Sequence, residues 1–301
     1  MAQILISLFP LLALIVGGNI LQKTGFLSDG FWSGAEKLNY YVLFPAMLFA
    51  NLATATIHIA MLQTIFTVLA LVLLITCIVL YIIRAVQKTD AARFGVYMQG
   101  MVRFNTYMGL AIVAALFSQQ GLTILAITLA MCIPLVNILS VLALTRQDSM
   151  NVKSIFVSLL KNPLILACIV GIIFNFSGLS LWAGFADLIK QLGICSLPLG
   201  LLCVGAALQF MALKKQLWVL LLNTFARLLI MPALAYMVCI WLGLTQLETQ
   251  VLVLFFALPT ASASYILTKV LGGDHQLMAG VISLQTLCSV LTLPIVLLWV
   301  M

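Results

Sequence analysis

Ten apolar stretches, each about as long as a membrane is thick, leave this chain few ways to fold. Crossing about 30 Å of hydrocarbon takes roughly 20 residues of helix. Stretches of that kind fall at 2–22, 34–54, 62–84, 93–118, 121–144, 161–180, 184–209, 216–241, 248–270 and 275–300. Composition agrees: 64% of the 301 residues are hydrophobic and only 7% are charged, where a soluble domain carries about 25% charged residues. A soluble fold of this size has too little interior to hide such an excess. The expectation is an all-α integral membrane protein with ten transmembrane helices. The first stretch has no basic n-region and is long enough to span, so it reads as a retained helix rather than a cleaved signal.

The formal charge of +7 does not indicate a nucleic-acid partner, because the basic residues are scattered between apolar runs and form no patch. They follow the positive-inside bias instead. Connections after the odd-numbered stretches hold Lys23, Arg84, Lys88, Arg146, Lys153, Lys161, Lys214, Lys215 and Lys269; those after the even-numbered ones hold none, and Lys190 is the exception. The bias places the first set in the cytoplasm and both termini outside; the expected location is the plasma (inner) membrane. The seven cysteines all sit in apolar runs without metal-ligand spacing to either histidine, so they read as buried thiols, and no metal or cofactor is expected. The segment "LGGDHQ" (271–276) has the look of a Gly-Asp protease motif, yet no second membrane aspartate, GxSxG or HExxH accompanies it. An enzyme is not expected.

The two halves match. Pro10 and Pro163, Gly18 and Gly171, Gly25 and Gly178, and Pro45 and Pro198 are each 153 residues apart. Shared lipid-facing composition explains Leu–Leu matches but not Pro–Pro ones. Five crossings per half is an odd number, so the second half enters from the opposite side, giving an inverted repeat as in many secondary transporters. The expected division is 1–145, a cytoplasmic linker 146–160, and 161–301.

Such carriers bind substrate near the midplane, where discontinuous helices free backbone groups. Two breaks are expected. Arg103, Asn105 and Thr106 lie in the fourth stretch, Arg103 about 15 Å beyond the boundary at Arg93. Pro259, Thr260, Ser262 and Ser264 lie in the ninth, Pro259 about 16 Å beyond Glu248. At the 153-residue offset, Thr106 corresponds to Pro259. Arg227 lies about 18 Å beyond Lys215 in the eighth stretch. The seven carboxylates fall in loops or at helix ends in this reading. Two deep cations without an internal carboxylate call for an anionic guest, backbone carbonyls or an aqueous crevice. Proton coupling would need a substrate carboxyl or a helix-end group such as Glu36. Asn51 after Pro45 and Asn137 after Pro134 are further candidates, while Asn39, Asn175 and Asn223 read as helix caps or interhelical bonds. Gly17-Gly18 and "GAAL" (205–208) read as faces for close helix packing.

Four segments carry a family resemblance. "LNYYVLFPAMLFANLA" (38–53), "FNTYMGLAIVAALF" (104–117), "NTFARLLIMPALA" (223–235) and "ALPTASASYILTKVLGGD" (257–274) resemble, in order, helices two, four, eight and nine of the auxin efflux carrier family. The resemblance implies two inverted five-helix repeats, crossed discontinuous helices four and nine, and an organic anion bound beside Asn105, Thr106, Gly109, Pro259, Thr260 and Ser264. Ala111 and Ala263 stand where many members carry proline and asparagine, which leaves a small carboxylate as the implied substrate class. The expected function is a secondary carrier of a small organic anion working by alternating access; the alternative is an anion channel or a transporter-like receptor. The expected partners are that anion, the bilayer and, as an allowed assembly, a second copy.

Overall fold

The structure is a computed structural model that describes residues 2–55, 59–117, 119–144, 163–208 and 216–300. The expected linker 146–160 and Arg146, Lys153, Lys161, Lys214 and Lys215 lie outside them. All regular structure among the described residues is helical. In order, the helices are α1 (Ala2–Lys23), α2 (Asp29–Leu38), α3 (Phe44–Ala53), α4 (Ile59–Gln87), α5 (Ala91–Val102), α6 (Thr106–Leu116) and α7 (Gln119–Leu144). Then come α8 (Pro163–Ser177), α9 (Ala183–Ala206), α10 (Leu217–Phe225), α11 (Met231–Trp241), α12 (Gln246–Ala257), α13 (Ala263–Val270) and α14 (His275–Val300). Among the described residues five stretches are long and apolar enough to cross a membrane: Ala60–Gln87, Gln119–Leu144, Ala183–Ala206, Leu217–Trp241 and His275–Val300.

Shorter or interrupted helices occupy the other apolar stretches, and the interruptions have local causes. Residues 103–105 separate α5 from α6, and residues 258–262 separate α12 from α13. Two single π turns, Asn39–Leu43 and Ala226–Ile230, lie just ahead of Pro45 and Pro232. Proline has no N–H for the carbonyl four residues back, and a wider turn rearranges the bonding there. The helix expected from residue 34 begins earlier, because Ser28 caps α2 by accepting the Phe31 N–H at 3.3 Å. Glu36 therefore lies two turns inside a helix rather than at its end.

Glycines bring the helices of one bundle together. A Cβ on Gly18 would sit 2.0 Å from the Leu202 carbonyl oxygen, and one on Gly205 would sit 1.8 Å from that of Ile15. The backbones of α1 and α9 thus touch, and the Asn19 amide donates to the Gly205 carbonyl at 3.1 Å. Gly171 of α8 and Gly193 of α9 receive α3 in the same way, against Phe49 and Met47. A second bundle forms where α5 packs on α7, and α11 and α14 pack on α12. The buried rings of Phe104 and Phe255 pack within it, tilted at 57° with centroids 4.4 Å apart.

Gly205→Val is expected to lower the thermal unfolding temperature of the detergent-purified protein, at an overpacking cost of about 1–3 kcal/mol or more. Gly34→Ala meets nothing within 4 Å and is expected to leave that temperature unchanged or raise it slightly.

Candidate functional site

The breaks in the α5–α6 and α12–α13 pairs meet each other. The Asn105 N–H donates to the Pro259 carbonyl at 2.7 Å, joining two extended stretches. No proline breaks the first pair; Asn105 does so by capping α6, its side chain accepting the Met108 N–H at 3.2 Å. That is the competition with helical bonding for which asparagine is suited. The second break follows Leu258, whose backbone is extended (φ −65°, ψ 140°) before Pro259.

Helix ends in an apolar interior must find partners for their last carbonyls. Arg227 supplies them for both pairs at once. Its side chain is fully buried; Nε donates to the Leu258 carbonyl at 2.8 Å and Nη1 to that of Met101. One cation thus faces the negative ends of two helix dipoles. Thr260 is equally enclosed: its N–H donates to Gln285 Oε1 at 2.8 Å, and its hydroxyl lies 2.7 Å from the same oxygen and 3.0 Å from the Gly100 carbonyl. The Gln285 amide donates to Gly100 at 3.1 Å and to Asn223 Oδ1 at 2.9 Å.

Beside this joint lies a cavity of about 170 Å³, between the two bundles. Arg103, Phe104 and Thr106 line it from the first break, and Ala261 and Ala263 from the second. Asn137 of α7, Tyr40 of the first π turn and Leu164 of α8 complete the polar end and the far wall, with Ile133 and Val136 as apolar surface. Arg103 is half-buried, its Nη2 donating to Asn137 Oδ1 and its Nη1 to Gln99 Oε1 at 3.4 Å. Gln99 is held in turn by donating to the Thr268 hydroxyl at 2.7 Å. The guanidinium is thereby oriented from behind while it remains part of the cavity wall. Among the described residues no acidic side chain lines this cavity.

The structure thus gathers Arg103, Thr106 and Asn137 at one cavity. It places Asn105, Gly109, Pro259, Thr260 and Arg227 in the joint itself; a Cβ on Gly109 would come within 2.7 Å of Leu258. Ser264 is buried, and its hydroxyl has no hydrogen-bond partner among the described residues. Ser262 lines a second cavity and Asn51 a third, the latter with Lys190, Gly193 and Leu110. Asn39 pairs with Ser196, its amide on the Ser196 carbonyl at 3.0 Å, and Asn175 donates to the carbonyls of Leu52, Ala53 and Ala55. Sequence reasoning does not single out Tyr40, Gln99 or Gln285. The two glutamines carry the same amide as asparagine in equally apolar runs, and that signal was there to read.

Broken helices meeting beside a cavity between two bundles are the construction of a membrane transporter. Over residues 3–297 the chain matches the membrane transport protein family, and it belongs to that family, which includes the auxin efflux carriers. It is also 24% identical over 297 residues to an uncharacterized transporter of Methanothermobacter thermautotrophicus, covering 96% of each chain. The protein is a multi-pass membrane transporter of a family that is not an enzyme family.

Arg227→Met leaves two buried carbonyls without their donor, each worth about 1–3 kcal/mol. It is expected to lower the unfolding temperature and to speed amide hydrogen exchange over residues 100–106 and 257–263. Asn105→Ala, which removes a cap, is expected to cost about 1 kcal/mol in the same unfolding assay.

Proposed function

We propose that the protein is a secondary carrier of a small organic anion, bound at the Arg103 cavity and moved by alternating access. The observation that carries this reading is a guanidinium, held by Gln99 and Asn137, in a cavity wall that holds no carboxylate among the described residues. An arginine in a chamber of low polarity is matched by a carboxylate, which its planar fork can hold with two parallel bonds. One cation suits one anionic group. The volume, about 170 Å³, is close to that of a cavity of about 150 Å³ that holds a single benzene molecule. Thr106, Asn137 and Tyr40 supply hydroxyl and amide groups to orient the guest, and Phe104, Ile133 and Val136 give it an apolar wall.

In this reading the chain crosses the membrane ten times as two inverted repeats, with the basic connections in the cytoplasm and both termini outside. Three cavities support a rocking motion, because each has walls from both bundles. The Arg103 cavity sets Tyr40 and Leu164 against Arg103 and Asn137; the other two set Glu36 against Tyr265, and Asn51 and Lys190 against Leu110. Sliding one bundle on the other would close some of these spaces and open others, which is the structural content of alternating access.

Arg103→Ala is expected to abolish stabilisation by small carboxylates in a thermal-shift screen of the purified protein while leaving it folded. Normal binding by the variant would remove Arg103 from the site. In proteoliposomes, saturable uptake with counterflow is expected; flux that rises without saturation and shows no counterflow would indicate a channel instead.

A further inference from the structure

We propose that Glu36 is a proton-binding site coupled to the Arg103 cavity, so that one proton accompanies each monoanion. The inference rests on the anion reading above. Glu36 is half-buried and lines a second cavity of about 150 Å³ with Ser262, Tyr265 and Ile266, facing Ala279 and Ile282 of α14. This space and the Arg103 cavity share a partition. Ala261 and Ala263 face the Arg103 side, and Ser262 between them faces the Glu36 side. Tyr40, in the wall of the Arg103 cavity, is four residues on from Glu36, a separation of roughly 6 Å along a helix. The broken segment and the second span therefore both touch the two cavities.

The other described carboxylates are engaged or at the surface. Asp90 accepts the Arg93 N–H, Glu248 closes a capping box with Thr245, and Asp274 accepts the Leu277 N–H. Asp29 and Asp187 are exposed. Around Glu36, Cys203 of α9 and Tyr107 of α6 lie within reach of its charge. Tyr265 of α13 shares the cavity, with His275 of α14 edge-on to its ring. Lys37 on the same helix and Lys269 on α13 are exposed, and no basic side chain lines the cavity among the described residues. A carboxylate so placed has no cation in its own cavity among the described residues, and its neutral form is the cheaper one to enclose there.

Charge balance gives the coupling. The empty site, with Arg103 cationic and Glu36 anionic, sums to zero. A bound monoanion together with a protonated Glu36 also sums to zero. Anion alone or proton alone leaves a net charge, which is costly to carry through a region of low dielectric. Only the balanced forms reorient readily, so anion and proton travel together. The step is a proton equilibrium in which the carboxylate takes a proton from water on one side and returns it on the other.

Two measurements on the full-length purified protein test this. Dicyclohexylcarbodiimide modifies protonated carboxyls in apolar surroundings; at about pH 7, mass spectrometry is expected to find Glu36 modified at least about tenfold faster than Asp29 or Asp187. Equal or absent labelling at Glu36 overturns the proposal. In the second, butyrate serves as the anion probe between about pH 6 and about pH 8, where it stays ionised. Its affinity is expected to weaken by up to about tenfold per pH unit in the native protein, as linkage to one proton requires. Glu36→Gln is expected to bind butyrate without that dependence, and Glu36→Asp to keep it. Dependence retained in Glu36→Gln overturns the coupling. Binding of no small carboxylate to any of these proteins counts against the Arg103 site, and the labelling result then decides Glu36 on its own.

Discussion

Two helix pairs that stop inside an apolar medium create a demand that water cannot meet. Each break strands carbonyls on one side and N–H groups on the other, and every stranded group is expensive in hydrocarbon. The fold answers with a small number of side chains, each used more than once. Arg227 serves Met101 and Leu258 together, Gln285 serves Thr260 and Gly100 together, and a single main-chain bond ties Asn105 to Pro259. The cavity exists because the chain leaves the helical path at 103–105 and again from Leu258 onward, and leaves room that a continuous helix would fill.

Much of this was legible in the sequence at the level of position. Proline at 259 with hydroxyls behind it, and asparagine at 105, are poor choices for an uninterrupted helix. Counting residues from each boundary brings both to similar depth, and they are bonded to each other. The division of labour was not legible. A polar side chain in an apolar run signals equally a ligand to substrate and a ligand to the backbone, because hydrocarbon penalises both alike. Arg103 and Arg227 look equivalent in the sequence, yet one stands in a cavity wall and the other is enclosed among carbonyls. The difference depends on where neighbouring helices end, and that is a property of the whole packing.

The seam between α1 and α9 illustrates a different kind of legibility. Small residues at Gly18 and Gly205 announce a close approach but not its partner. The contact proves to be backbone on backbone, with Leu202 and Ile15 carbonyls occupying the space a Cβ would need. Such a contact is stiff, because there are no side-chain rotamers to yield. Stiffness inside one bundle and cavities along its border with the other are complementary features.

One hydrogen-bonded sequence in the joint has a direction. Thr260 donates to Gln285, Gln285 to Asn223, and Asn223 to the Tyr97 carbonyl. Each amide has its oxygen turned toward the donor behind it and its nitrogen toward the acceptor ahead. Turning any one of them by half a revolution would set like against like at both of its neighbours. The chain therefore has one sense of polarity from α12–α13 through α14 and α10 to α5. Bonds aligned in one sense polarise one another, so the crossing of the broken helices is held more firmly than by the same contacts taken singly.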